Sequence, residues 1–106
     1  MRDGLYRVHF RTPAGQGMGI VVLENGTLRG GDAIMYYVGS FSAKKDAFTA
    51  ELVAQRHNTN RPSVFGVDTV NLTLEGTVTG DTAETKGTAK EKPDVAFQAT
   101  LTRLAD

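Results

Sequence analysis

Short segments in which apolar and polar residues alternate, cut at regular intervals by glycine-bearing turns, run the length of this chain of 106 residues. A period of two places successive side chains on opposite faces of a strand, and this pattern constrains the fold more than any other feature. In residues 5–11, Tyr6, Val8 and Phe10 fall on one face and Arg7, His9 and Arg11 on the other. Pro13 and Gly15 break that strand, and an apolar run follows over 17–23, up to Asn25-Gly26. Asn-Gly suits a type I′ hairpin, because both central residues need positive φ. A short third strand over 27–29 is ended by Gly30-Gly31-Asp32. The fourth, over 34–41, is apolar on both faces, with Ile34, Tyr36 and Val38 against Met35, Tyr37 and Phe41.

After a polar turn at 42–46, Phe48, Ala50, Leu52 and Ala54 alternate with Thr49, Glu51, Val53 and Gln55. A polar loop over 57–62 follows, with a helical turn expected near 63–66. In the sixth strand Val70, Leu72, Leu74 and Val78 oppose Asn71, Thr73, Glu75 and Thr77, and Gly80-Asp81 turns the chain. The seventh offers only small groups to its inner face, Ala83, Thr85, Gly87 and Ala89. Lys92-Pro93-Asp94 is expected to form the last turn, before a closing strand with Val95, Phe97, Ala99 and Leu101 on one face. Eight antiparallel strands with short connections and almost no helix signal define an all-β chain. They favour an up-and-down barrel, which leaves no exposed sheet edge, over a two-sheet sandwich.

Composition narrows the function classes. A chain of this length is expected to be one domain over residues 1–106. Twelve basic and twelve acidic residues cancel, so no global field draws it to nucleic acid or to an anionic membrane, and direct nucleic-acid binding is not expected. Cysteine is absent, which removes disulfides, thiolate metal sites and cysteine nucleophiles together. Met1-Arg2-Asp3-Gly4 leads straight into a strand pattern, with no secretory signal and no apolar run long enough to span a bilayer, so a cytoplasmic location is expected. On that reading the glycosylation patterns at Asn25-Gly26-Thr27 and Asn71-Leu72-Thr73 are chance matches.

Catalytic vocabulary is nearly empty. Gly15-Gln16-Gly17-Met18-Gly19 is no dinucleotide fingerprint, since its third glycine is misplaced and no helix follows to face a pyrophosphate. His9 and His57 are the only imidazoles, on different segments, with no second histidine at metal-ligand spacing. Asp32, after two glycines, reads as a turn cap that accepts backbone N–H bonds. Ser40, Ser42 and Ser63 have no triad context. No catalytic residue, metal or cofactor is expected, and the chain is read as a non-enzyme.

Surfaces and the barrel interior remain. The doubly apolar fourth strand calls for a cover on its outer face, and Met35, Tyr37 and Phe41 are taken as the dimer or partner surface, with a loop over 60–66 as the alternative cover. With Leu74 also facing the lumen, the small side chains Ala83, Gly87 and Ala89 leave room there for a small apolar ligand unless Tyr6, Phe48 and Phe97 fill it, and close packing favours filling.

Asp3-Gly4-Leu5-Tyr6, Gly17-Met18-Gly19-Ile20, the Asn25-Gly26 turn, Gly30-Gly31-Asp32 and Tyr37-Val38-Gly39, in that order and spacing, resemble the opening half of the GrlR-like family, negative regulators of type III secretion. The likeness runs from Asp3 to about His57, and reappears at Ser63-Val64. It implies a lipocalin-like β-barrel that forms a homodimer and represses by binding a transcriptional activator, not DNA. In that family an acidic run between the fourth and fifth strands serves activator binding. The matching stretch here is Ser42, Ala43, Lys44, Lys45 and Asp46, where two lysines against one aspartate leave a net charge of +1. Long-range attraction to a basic partner becomes weak repulsion at this loop.

Overall fold

In a computed structural model that describes residues 1–59 and 67–106, the alternating segments become eight strands and no helix. They are β1 (Gly4–Thr12), β2 (Gly15–Glu24), β3 (Thr27–Gly31), β4 (Met35–Lys44), β5 (Ala47–Arg56), β6 (Thr69–Thr79), β7 (Thr82–Ala89) and β8 (Lys92–Ala105). Each strand pairs antiparallel with the next, and β8 returns to β1, so the sheet closes as an up-and-down barrel of the lipocalin-like kind. The sandwich alternative is thereby set aside. The expected helical turn at 63–66 and the covering loop at 60–66 lie outside the described residues.

Local chemistry explains most of the boundaries. Asn25 and Gly26 both take positive φ, 51° and 79°, as a type I′ turn demands. β3 runs two residues further than its glycines suggested. Gly30 and Gly31 stay in the ladder opposite Tyr37 and Tyr36, and the break falls at Asp32. The last turn is Lys90-Glu91 rather than Lys92-Pro93-Asp94. Glu91 secures it by accepting from the backbone N and the side-chain Nδ2 of Asn71, at 2.7 and 2.6 Å. Proline is tolerated at position 93 because it stands next to the start of β8.

Met35, Tyr37 and Phe41, expected on the outer face of β4, point into the barrel; Met35 and Tyr37 are each only 6% exposed. The cause is register. Tyr37 lies opposite Ala54, Gly39 opposite Leu52 and Phe41 opposite Ala50, and cross-strand partners share a face. β5 has one apolar face, so it drags that parity of β4 inward with it. Tyr36 and Val38 are left outside.

Alternate turns gather at opposite ends. The Asn25-Gly26, Lys45-Asp46 and Gly80-Asp81 turns share one end, the base, with both chain termini. The base is plugged. Tyr6 and Phe48 are fully buried there, and Phe48 stacks on Phe41 with ring centroids 6.0 Å apart. The Tyr6 hydroxyl donates to the Arg2 carbonyl at 2.5 Å. Each such aromatic contributes about 1.5–3 kcal/mol through burial. The other end, the mouth, carries the β1–β2, β3–β4 and β7–β8 connections, with the end of β5 and the start of β6.

Candidate functional site

The lumen above the plug is open. A cavity of about 300 Å³ is lined by Val8 and Phe10 of β1, Val21 of β2, Leu28 of β3, Met35 and Tyr37 of β4, Leu52 and Ala54 of β5, Leu72 and Leu74 of β6, and Phe97, Ala99 and Leu101 of β8. Gln16, Gly17, Met18, Asp32, Ala33 and Ile34 complete it toward the mouth. Of the lumen residues expected from the sequence, Leu74 and Phe97 line the cavity, while Tyr6 and Phe48 belong to the plug.

Ala83, Gly87 and Ala89 do not make the space, because β7 supplies none of the lining. Larger neighbours have filled the room they leave. A Cβ built on Gly87 would lie 2.5 Å from Phe97 Cδ1 and 2.7 Å from Leu74 Cδ2. On β2, Gly17 and Gly19 serve the same end beside the mouth. A Cβ on Gly17 would meet the Phe10 ring at 2.7 Å, and one on Gly19 the Tyr37 hydroxyl at 2.8 Å. Two glycines thus make room for two aromatic rings, which meet edge to face with centroids 6.4 Å apart.

One polar pair interrupts this apolar wall. Asp32 Oδ1 accepts the backbone N–H groups of Ile34 and Met35, each at 2.8 Å, and so caps the β3–β4 turn as its position after two glycines predicts. Its second oxygen, Oδ2, accepts a short hydrogen bond from the Tyr37 hydroxyl. Burial pushes the Tyr37 phenol above its ordinary range, and the hydrogen bond and charge of Asp32 push it further the same way. The phenol therefore stays protonated and donating. A buried hydroxyl and a carboxylate are satisfied by each other at the one end of the cavity that faces outward.

His57 and Asn58 brace this turn from across the mouth. His57 Nε2 lies 2.8 Å from the Asp32 carbonyl, and Asn58 Nδ2 donates to the Ala33 carbonyl at 3.1 Å. His57 thus meets the backbone of Asp32 and not its carboxylate. His9 stands on the outer wall, within 2.9 Å of Gln16 Oε1 and 3.2 Å of an Arg11 guanidinium nitrogen. The three groups an acid–base centre would use do not converge on one point. Among the described residues no group of three or more His, Asp or Glu is placed to hold a metal, and no helix is long and apolar enough to cross a membrane.

A second feature lies on the outside. Met18, Ile20 and Val22 of β2 and Tyr36 and Val38 of β4 are exposed large apolar side chains on either side of β3, from 36% to 60% exposed. Pairing aligns them in rows, Ile20–Gly31–Tyr36 and Val22–Arg29–Val38, across the narrow β3. The apolar run of β2, with glycines on its inner parity at 17 and 19, was the signal for this patch. The basic turn is elsewhere. Ser42, Lys44, Lys45 and Asp46 are exposed at the base and Ala43 is half-buried, at the opposite end from the cavity mouth. Among known proteins, no family model and no curated sequence matches the chain.

Proposed function

We propose that this protein is a non-enzymatic regulatory protein, akin to the negative regulators of type III secretion, that acts by protein–protein contact, with a transcriptional activator as the kind of partner and a homodimer as its own state. The observation that carries this reading is the apolar patch Met18, Ile20, Val22, Tyr36 and Val38, which no described residue covers. It lies on β2 and β4, which carry two of the segments of the family likeness, 17–20 and 37–39. The basic turn at Lys44 and Lys45 makes contact through an acidic run untenable here, so the partner surface is assigned to the sheet face instead. In the double variant Tyr36→Lys, Val38→Lys, both changes are solvent-facing and the barrel is expected to stay folded by circular dichroism. Light scattering and co-purification from native lysate are expected to show loss of the self-association and of the stoichiometric partner that the unmodified chain retains. A monomeric unmodified chain with no stoichiometric partner at any ionic strength refutes the proposal.

The cavity favours a second reading, a lipocalin-like binder of a small apolar molecule. Its volume of about 300 Å³ sits at the lower limit of small-molecule pockets, and among the described residues its wall is apolar but for Gln16, Asp32 and Tyr37. The two readings are compatible, since β2, β3 and β4 carry the patch outside and part of the cavity wall inside.

A further inference from the structure

The cavity has a defined chemistry at its outward end. Both Asp32 Oδ1 contacts are spent on the turn, and Oδ2 accepts the hydrogen bond of the Tyr37 hydroxyl. Having donated its only hydrogen, the Tyr37 oxygen presents lone pairs and no donor. Gln16, the third polar lining residue, is exposed at the rim with its amide oxygen turned to His9. Among the described residues, Asp32 is the one charged residue of the lining, and it is negative. Arg56, which pairs with Met35 at this end, is not part of the wall, and its guanidinium is held by Asp68 at 2.6 Å and by the Asn58 carbonyl. A ligand lying in the lumen thus meets apolar wall along its body and the Asp32–Tyr37 acceptors at its head, with the Gln16 amide on the exposed rim outside them.

Resting on the reading of the lumen as a ligand site, we infer that it selects a small apolar molecule with one uncharged hydroxyl head, and turns away the carboxylate of the same length. An alcohol donates its hydrogen to the Tyr37 oxygen. A carboxylate offers only acceptors to acceptors and adds a second negative charge beside Asp32 in a low-dielectric site, where like charges repel strongly. At roughly 30 Å³ for each water-sized group, the cavity of about 300 Å³ holds on the order of ten heavy atoms. Eight-carbon alcohols fit inside that volume, and a longer chain would extend out through the mouth.

The test titrates the intact 15N-labelled chain with octan-1-ol, sodium octanoate and benzene near neutral pH, following amide shifts of Ile34, Met35 and the inner residues of β8. Octan-1-ol is expected to bind at least about tenfold more tightly than octanoate, and Tyr37→Phe to cut alcohol affinity about three- to tenfold, as loss of one hydrogen bond does, while benzene binding changes little. Asp32→Asn, whose amide oxygen still caps the turn, is expected to narrow the gap between alcohol and carboxylate. Equal binding of octan-1-ol and octanoate, or alcohol binding indifferent to Tyr37→Phe, overturns the head-group inference and leaves the apolar lumen standing. Failure of all three probes to bind overturns the ligand-site reading itself. Native circular dichroism of each variant shows whether a lost signal reflects misfolding, and benzene binding in the variants reports an intact lumen independently.

Discussion

Tyr37 concentrates several roles in one side chain. Its ring fills the room left by Gly19, packs edge to face on Phe10 and carries its hydroxyl to Asp32. The raised phenol pKa is a statement about stability. Above the ordinary value of 10.0 the unfolded chain releases this proton while the folded chain keeps it, so the unfolded state binds fewer protons and stability falls as pH rises. Below that value the contribution is fully present. Tyr6, also raised, chiefly by burial, acts in the same direction. In urea unfolding from about pH 8 to pH 11, stability is expected to decline above pH 10, and Tyr37→Phe to lessen that slope by up to about 1.4 kcal/mol per pH unit. At neutral pH the same variant is expected to cost about 1–2 kcal/mol, because Asp32 loses a buried donor. An alkaline limb identical in the two proteins would contradict the burial of this hydroxyl. In the sequence, Asp32 was legible as a turn cap, whereas nothing in the spacing of Asp32 and Tyr37 announced that they meet. The hydroxyl reaches Oδ2 only because β4 turns that parity inward.

Among the elements, the β2–β3 hairpin is where local chemistry was most legible. Asn25-Gly26 adopts the backbone its residue types prefer, and no long-range contact is needed to explain it. Gly26→Ala places a Cβ at φ 79°, and is expected to destabilise the protein by about 1 kcal/mol or more, read as a shift of the denaturation midpoint with an unchanged m-value. No loss would mean that the turn is not held in the I′ form. β4 marks the opposite limit. With apolar residues on both parities, its own pattern carries no information about which face is inside, and Met35, Tyr37 and Phe41 were assigned to the wrong side. The information lay in β5, whose Phe48, Ala50, Leu52 and Ala54 face is unambiguous. The Lys45-Asp46 turn hands that parity across to β4. β7 misled for a related reason. Its small side chains suggested space, but Phe97 and Leu74 from flanking strands occupy it.

For the whole molecule, closure is the property that matters most. β1 and β8 pair along most of their length, from Leu5 opposite Ala105 to Arg11 opposite Gln98, so no strand of the described barrel is an edge. Amide hydrogen exchange is expected to protect residues 5–11 and 98–105, where β1 and β8 pair, as uniformly as β5. An open sheet would instead leave every second amide of these segments exchanging freely. Such a pattern in these segments would exclude the closed form. Plugged at the base and hollow toward the mouth, the barrel separates a cavity lined from inside from an apolar face carried outside on β2 and β4. The alternation of the chain by itself determined the order of the strands, the Asn25-Gly26 turn and the all-β class, because a period of two and the φ preferences of Asn and Gly are local properties. Which face of β4 meets solvent, where the lumen stays empty and that Tyr37 reaches Asp32 were decided only by the tertiary structure. Each of these depends on cross-strand register and on the summed volume of side chains from several strands, which no single segment contains.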